Sequence, residues 1–187
     1  CSLFFTERFQ KIVEKYSKLK GKEVKMGAVM AMDEKAMGEM LTTFKKELGV
    51  PVYVKIGPYL EPLESIIENY VKAGADGITA MDSFGTGIAI DWKNEIPFFA
   101  TWTTGGYTAG LFFVTAGKIV RIKKKLPELY VSGCGGVRNA GHVIQYLLLG
   151  CKTVQVATAI FYHGHKLFNE LVQGISKWME EKGYTSP

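Results

Sequence analysis

Apolar residues recur along this chain in two rhythms that alternate. Spacing near the helical period places Phe9, Ile12, Val13 and Tyr16 on one face of a segment from about Thr6 to Leu19. Asp33 is placed to cap a second helix that carries Met37, Met40, Leu41 and Phe44. Ile66, Ile67, Tyr70 and Val71 point inward from a third, Leu63 to Ala73. The basic stretch Ala116 to Lys125 and the segment Asn139 to Leu149 read as further helices. A closing helix from Lys166 to Glu181 shows Leu167, Phe168, Leu171, Val172, Ile175, Trp178 and Met179 at helical spacing. Between these lie short β-branched runs bounded by Gly, Pro or small residues: Pro51 to Pro58, Ile78 to Met81, Leu129 to Ser132 and Thr153 to Thr158.

Strands alternating with helices imply a parallel sheet with covered faces, either doubly wound or closed as a barrel. Periodicity alone does not choose between them. An internal echo supports the repeated unit: residues 71–78 and 148–154 each end a helix on a small-residue turn and enter a strand.

The chain has 187 residues, 47% of them apolar, which suits one core and a single domain over 1–187. No apolar run approaches the ~20 residues of a membrane helix. The first residues show no basic stretch ahead of an apolar one, so a cytoplasmic location is expected. Cys1, Cys134 and Cys151 are odd in number and lack Cys-x-x-Cys spacing, which argues against a disulfide framework, a zinc site or a cluster. The formal charge of +5 sits largely in Lys11, Lys15, Lys18, Lys20, Lys22, Lys25 and in Arg121 to Lys125. No stacking aromatics interleave with these runs, so they read as solvated helix faces rather than a nucleic-acid surface.

Candidate chemistry gathers at strand ends. Gly133-Cys-Gly-Gly136 follows the third strand and Ala157-Thr158 ends the fourth, one helix apart. Glycines there let backbone N–H groups approach a phosphate, and in barrels such sites form after the last two strands; the plainer alternative is a tight turn. Lys55 is a lone cation in an apolar strand, expected to meet an anion or an electron-rich ring unless it only snorkels. Asp82 and Ser83 end the second strand on the same rim, where Asp82 by itself reads as a loop cap. The long segment from Phe84 to Gly110 is punctuated by Gly105 and Gly106, and its Phe98, Phe99 and Trp102 read as a local core. His163 and His165 have no third ligand nearby, so no metal site is assigned.

The segments Tyr53-Val-Lys-Ile56, Asp82-Ser-Phe-Gly-Thr-Gly-Ile-Ala-Ile-Asp91, Gly105-Gly-Tyr-Thr-Ala-Gly110, Ser132-Gly-Cys-Gly-Gly136 and Gln155-Val-Ala-Thr-Ala159, in this order and spacing, resemble the C-terminal half of the class 1 dihydroorotate dehydrogenases. The dihydropyrimidine dehydrogenase barrel shares most of them. The resemblance runs from about Met26 to the end and implies the second half, four βα units, of a flavin-binding (β/α)8 TIM barrel over 33–187, led in by a helical segment and link at 1–32. It further implies FMN as cofactor, bound by Lys55 near the flavin ring, by Gly106, Gly135, Gly136, Ala157 and Thr158 near its phosphate, and by Gly105. Asp82 and Ser83 would meet a pyrimidine-like or other cyclic amide substrate. Gly136→Val is expected to abolish flavin retention while leaving the fold intact.

Three departures refine these expectations. The family usually has an amide where this chain has Asp82, and a carboxylate accepts hydrogen bonds but cannot donate them. Phe113 and Val114 stand where a basic residue and a proline are common. The family's catalytic Cys or Ser loop precedes this region, and Cys1 lacks that loop's flanking residues, so no catalytic base is assigned. Four strands do not close a barrel of roughly 250 residues, so the other half is expected from another chain, a second copy or sequence beyond this one, and the chain is expected to oligomerise. The alternatives are a catalytically degenerate barrel subunit that binds a phosphate-bearing ligand or a partner chain, and a phosphate-binding barrel without flavin.

Overall fold

The computed structural model describes residues 33–86, 90–94, 96–97, 106–107 and 110–186. The expected helix from Thr6 to Leu19, the N-terminal lysines, Cys1, Phe98, Phe99, Trp102 and Gly105 lie outside them.

Helix α1, Glu34–Leu48, starts where predicted: Asp33 accepts a hydrogen bond from the Ala36 N–H at 3.0 Å, and Gly49 ends the helix at a left-handed φ of 63°. Strand β1, Tyr53–Ile56, follows, then α2, Leu63–Lys72, and β2, Gly77–Ala80. An excursion carries two small antiparallel pairs: β3, Phe84–Thr86, with β6, Gly106–Tyr107, and β4, Ile90–Asp91, with β5, Ile96–Pro97. The chain continues through α3, Phe112–Lys125, β7, Tyr130–Cys134, α4, Ala140–Leu148, β8, Thr153–Gln155, α5, Thr158–His163, and α6, Lys166–Lys182.

The main sheet is parallel and its order, β1-β2-β7-β8, follows the chain without reversal. A doubly wound sheet must reverse its strand order at a switch point; this one does not, so it is an arc of a (β/α)8 barrel. Alternate residues share a face. Val54, Ile56, Ile78, Ala80 and Val131 point to the helical layer and are buried. Tyr53, Lys55, Thr79, Tyr130, Ser132, Thr153 and Gln155 occupy the other face, which is the interior side of the barrel.

Adjacent helices pack in sequence order, α1 on α2 and α2 on α3. A charged seam ties α3 to the start of α2: Glu61 caps Leu63 N–H and takes Arg121 at 2.7 Å and Lys118 at 3.0 Å. The Arg121 guanidinium, helped by Lys118, holds the Glu61 carboxyl well below the usual carboxylate range.

Three sequence expectations need correction. Helix α3 starts at Phe112 rather than Ala116, because Phe112 is buried with its ring 4.8 Å from Tyr146 and 4.6 Å from His142; packing outweighs the weak helix propensity of this aromatic and β-branched stretch. Thr158 does not end β8 but begins α5, a helix of 6 residues, too short to show a period. On α6 only Leu167 and Leu171 of the predicted stripe are buried, whereas Phe168 and Val172 are exposed. The helix turns a narrower face inward, where Gly174 lies so close to Ala140 of α4 that an added Cβ would sit 2.5 Å from the alanine methyl.

Candidate functional site

The C-terminal ends of the main-sheet strands open onto a cleft of about 780 Å3, a size typical of small-molecule sites. It gathers Lys55, Asp82, Ser83, Gly135, Gly136, Ala157 and Thr158, which come from four separate strands and their loops. Gly106 lies in β6 opposite Thr86 of β3. The cleft also takes in residues that the sequence reading had not assigned to it: Cys134, Arg138, Gln155, Phe161, Tyr162 and His163.

Asp82 owes its place to the backbone. Its N–H donates to the Ile56 carbonyl at 2.8 Å, and the preceding Met81 N–H donates to the Cys134 carbonyl at 2.8 Å, so the end of β2 is fastened to both neighbouring strands. Ile56 follows Lys55, and the carboxylate therefore arrives beside the lysine, with Nζ 3.4 Å from Oδ1. The same oxygen accepts the Ser83 N–H at 2.8 Å. The two side chains are 33% and 42% exposed, so this is a solvent-touched pair whose direct contribution to stability is modest.

The glycine turn after β7 is shaped from behind. The Tyr146 ring of α4 lies against Gly133, where a Cβ would fall 2.8 Å from the ring, and the Tyr146 hydroxyl donates to the Gly135 carbonyl at 2.7 Å. Gly135 and Gly136 have φ of 122° and 70°, values that L side chains rarely adopt. A Cβ on Gly136 would lie 2.6 Å from the Phe112 backbone nitrogen. Gly136→Val therefore cannot leave the fold intact, contrary to the expectation from sequence, because Gly136 is fixed by helix packing as well as by its φ.

Cys134, at the end of β7, borders the cleft with its thiol pushed up by burial; Lys55 opposes that shift and Asp82 adds to it. Burial there favours its neutral thiol over the thiolate. Below the cleft the interior face forms a polar ladder. The Thr153 hydroxyl donates to Ser132 Oγ at 2.9 Å, and Gln155 Nε2 donates to Ser132 Oγ at 3.1 Å and to Thr79 Oγ1 at 3.3 Å. Thr79 and Ser132 are buried, so these bonds satisfy polar groups that would otherwise be costly there. Gln155 had a signal in the sequence, the alternation of Thr153, Val154 and Gln155 with period 2. Phe161 and Tyr162 are 90% and 79% exposed on α5, and a one-and-a-half-turn helix offers no periodicity from which to read them. His163 and His165 are both exposed, and among the described residues no three His, Cys, Asp or Glu side chains are grouped to hold a metal ion. No helix among the described residues is long and apolar enough to cross a membrane.

The family model for dihydroorotate dehydrogenase matches residues 20–179. Among curated relatives, a dihydroorotate dehydrogenase B (NAD(+)), catalytic subunit, of Methanothermobacter thermautotrophicus is 28% identical over 160 residues, covering 86% of this chain and 52% of that protein. The protein of the same name from Bacillus pumilus is 30% identical over 164 residues, covering 87% of this chain and 52% of its own length. That from Pyrococcus abyssi is 29% identical over 149 residues, 79% of this chain and 49% of its own. This chain thus spans about half the length of the curated relatives it matches. With a parallel arc in barrel order and a cleft at its C-terminal rim, the chain belongs to the dihydroorotate dehydrogenase family.

Proposed function

We propose that this chain, one unit over 1–187, is the FMN-binding half of a cytoplasmic flavin-dependent oxidoreductase that transfers hydride between a dihydropyrimidine-like substrate and FMN. The observation that carries this reading is the convergence of Lys55, Asp82, Ser83, Gly135, Gly136, Ala157 and Thr158 on one rim cleft, in a chain of this family. The residues fit the cofactor. The cleft volume suits a mononucleotide, Lys55 offers a cation, and Thr158 opens helix α5 on the lining of the cleft. The glycine turn brings backbone close to the same space without side chains in the way.

When bound, the flavin would supply the two-electron chemistry. Lys55 would stabilise negative charge at the ring, and the backbone around Gly135, Gly136 and Thr158 would hold the phosphate. Asp82 and Ser83 would face the substrate. The Asp82 carboxylate accepts and does not donate, so it favours ligands that present an N–H donor over the carbonyl oxygens of orotate. No base for proton abstraction is assigned to this chain.

Strands β1 and β8 pair with no further main-sheet strand among the described residues, which supports completion of the barrel by another half. The relatives are named as catalytic subunits, and assembly with other chains is the corresponding reading here. In a completed barrel, titration with FMN followed by visible absorbance should show saturable uptake with a perturbed flavin spectrum. An unchanged free-flavin spectrum throughout the titration would overturn the reading. The second reading, a degenerate subunit that binds a phosphate-bearing ligand, is favoured by the pairing of Lys55 with Asp82; it expects phosphate binding without flavin uptake.

A further inference from the structure

We infer that Asp82 is a positioning and charge-setting residue for Lys55, holding the ammonium group at one edge of the cleft and offsetting its positive charge, so that a bound flavin meets a near-neutral pair instead of a lone cation. The inference deepens the flavin reading above and rests on it.

The geometry leaves the carboxylate little choice. Asp82 N–H is bonded to the carbonyl of Ile56, the residue after Lys55, and Oδ1 is fixed by the Ser83 N–H at 2.8 Å while standing 3.4 Å from Lys55 Nζ. An amide at this position would accept the same Ser83 N–H through its oxygen, so the backbone arrangement does not call for a carboxylate. What the carboxylate adds is a negative charge beside Lys55. Both groups line the cleft, so the pair faces any ligand there. At an effective dielectric near 20, a unit charge about 12 Å from a charge that develops in an equilibrium is worth roughly a tenfold change in it, and more at closer range.

Sulfite is the probe. It adds to oxidised flavin at N5, forming an S–N bond and leaving negative charge on the ring, with no oxidant or reductant consumed. A nearby cation tightens this equilibrium and a neutralised one loosens it. The experiment compares Asp82→Asn and Asp82→Glu with the unaltered protein in the FMN-loaded, completed barrel, titrating sulfite against loss of flavin absorbance. Asp82→Asn should bind sulfite about tenfold more tightly, equivalent to ~30 mV for a two-electron couple, and Asp82→Glu should stay close to the unaltered protein. In a Lys55→Met background, Asp82→Asn should shift sulfite affinity less, because the part of the effect that comes from placing the ammonium is lost with the lysine while the direct field of the carboxylate remains.

Equal sulfite affinity in the Asn, Glu and unaltered forms overturns the inference while leaving the flavin reading intact. An equal shift on both lysine backgrounds also overturns it, since Asp82 would then act on the ring directly. Should Lys55→Met fail to retain flavin, the Asn and Glu comparison still decides. Absence of FMN uptake by the unaltered protein overturns the flavin reading itself, and the inference falls with it.

Discussion

The two faces of the four-stranded sheet are made from alternate residues of the same strands, yet they do opposite work. Facing the helices, Ile56, Ile78, Ala80 and Val131 are all but inaccessible, and the Tyr146 ring fills the space that Gly133 leaves open. Facing the barrel interior, Lys55, Thr79, Ser132 and Gln155 are polar and bonded to one another or to the rim. Tyr53 on this face is 47% exposed, beside a Tyr130 ring 5.0 Å away. Burial of apolar area on the first face holds the strands in register, which leaves the second free to carry groups whose value lies in chemistry. The glycine turn after β7 is where the two meet: Tyr146 belongs to the sealed side, and its hydroxyl sets a carbonyl on the cleft.

This comparison predicts a gradient of effects. The largest belongs to the sealed face: Ile78→Ala should destabilise the fold by about 3 kcal/mol, through lost apolar burial and the cavity left behind. Urea denaturation of the completed barrel would show it, and a loss under 1 kcal/mol would mean that the helical layer collapses onto the gap.

Next comes the junction. Tyr146→Phe removes the hydrogen bond to the Gly135 carbonyl with little change in packing, so it should cost about 1 kcal/mol. It should also weaken FMN binding several-fold by loosening the turn. Full FMN affinity in this variant would show that the turn keeps its shape without the tyrosine hydroxyl.

The smallest effect on stability is expected on the interior face. Gln155→Ala should change unfolding free energy by less than about 1 kcal/mol, since Gln155 is exposed and water admitted in its place can bond the Ser132 and Thr79 hydroxyls that it leaves. The same substitution should perturb the absorbance of bound flavin, because Gln155 lines the cleft. A stability loss as large as that of Ile78→Ala would erase the distinction between the faces.

Local signals were enough for much of the fold. The cap at Asp33, the strand at Tyr53–Ile56 and the helices at Leu63–Lys72 and Ala140–Leu148 were legible, because capping and apolar period act over a few residues. The glycine turn and Lys55 stood out for the same reason: each breaks a local rule where the surrounding pattern is otherwise regular. The early start of α3 was not legible, since Phe112 is helical on account of contacts with α4, far along the chain. Nor was the outward turn of Phe168 and Val172, which depends on how closely Gly174 lets α6 approach Ala140.

By itself the sequence determined the alternation of strands and helices, the placing of polar residues at strand ends and the family likeness, because each is carried by residue type at fixed spacing. The tertiary structure decided between a barrel arc and a doubly wound sheet, since strand order is a matter of which neighbour each strand pairs with and leaves no local trace. It also decided the partner of Lys55. Residues 55 and 82 are brought together by a backbone bond between two strand ends, and only the pairing of those strands creates it.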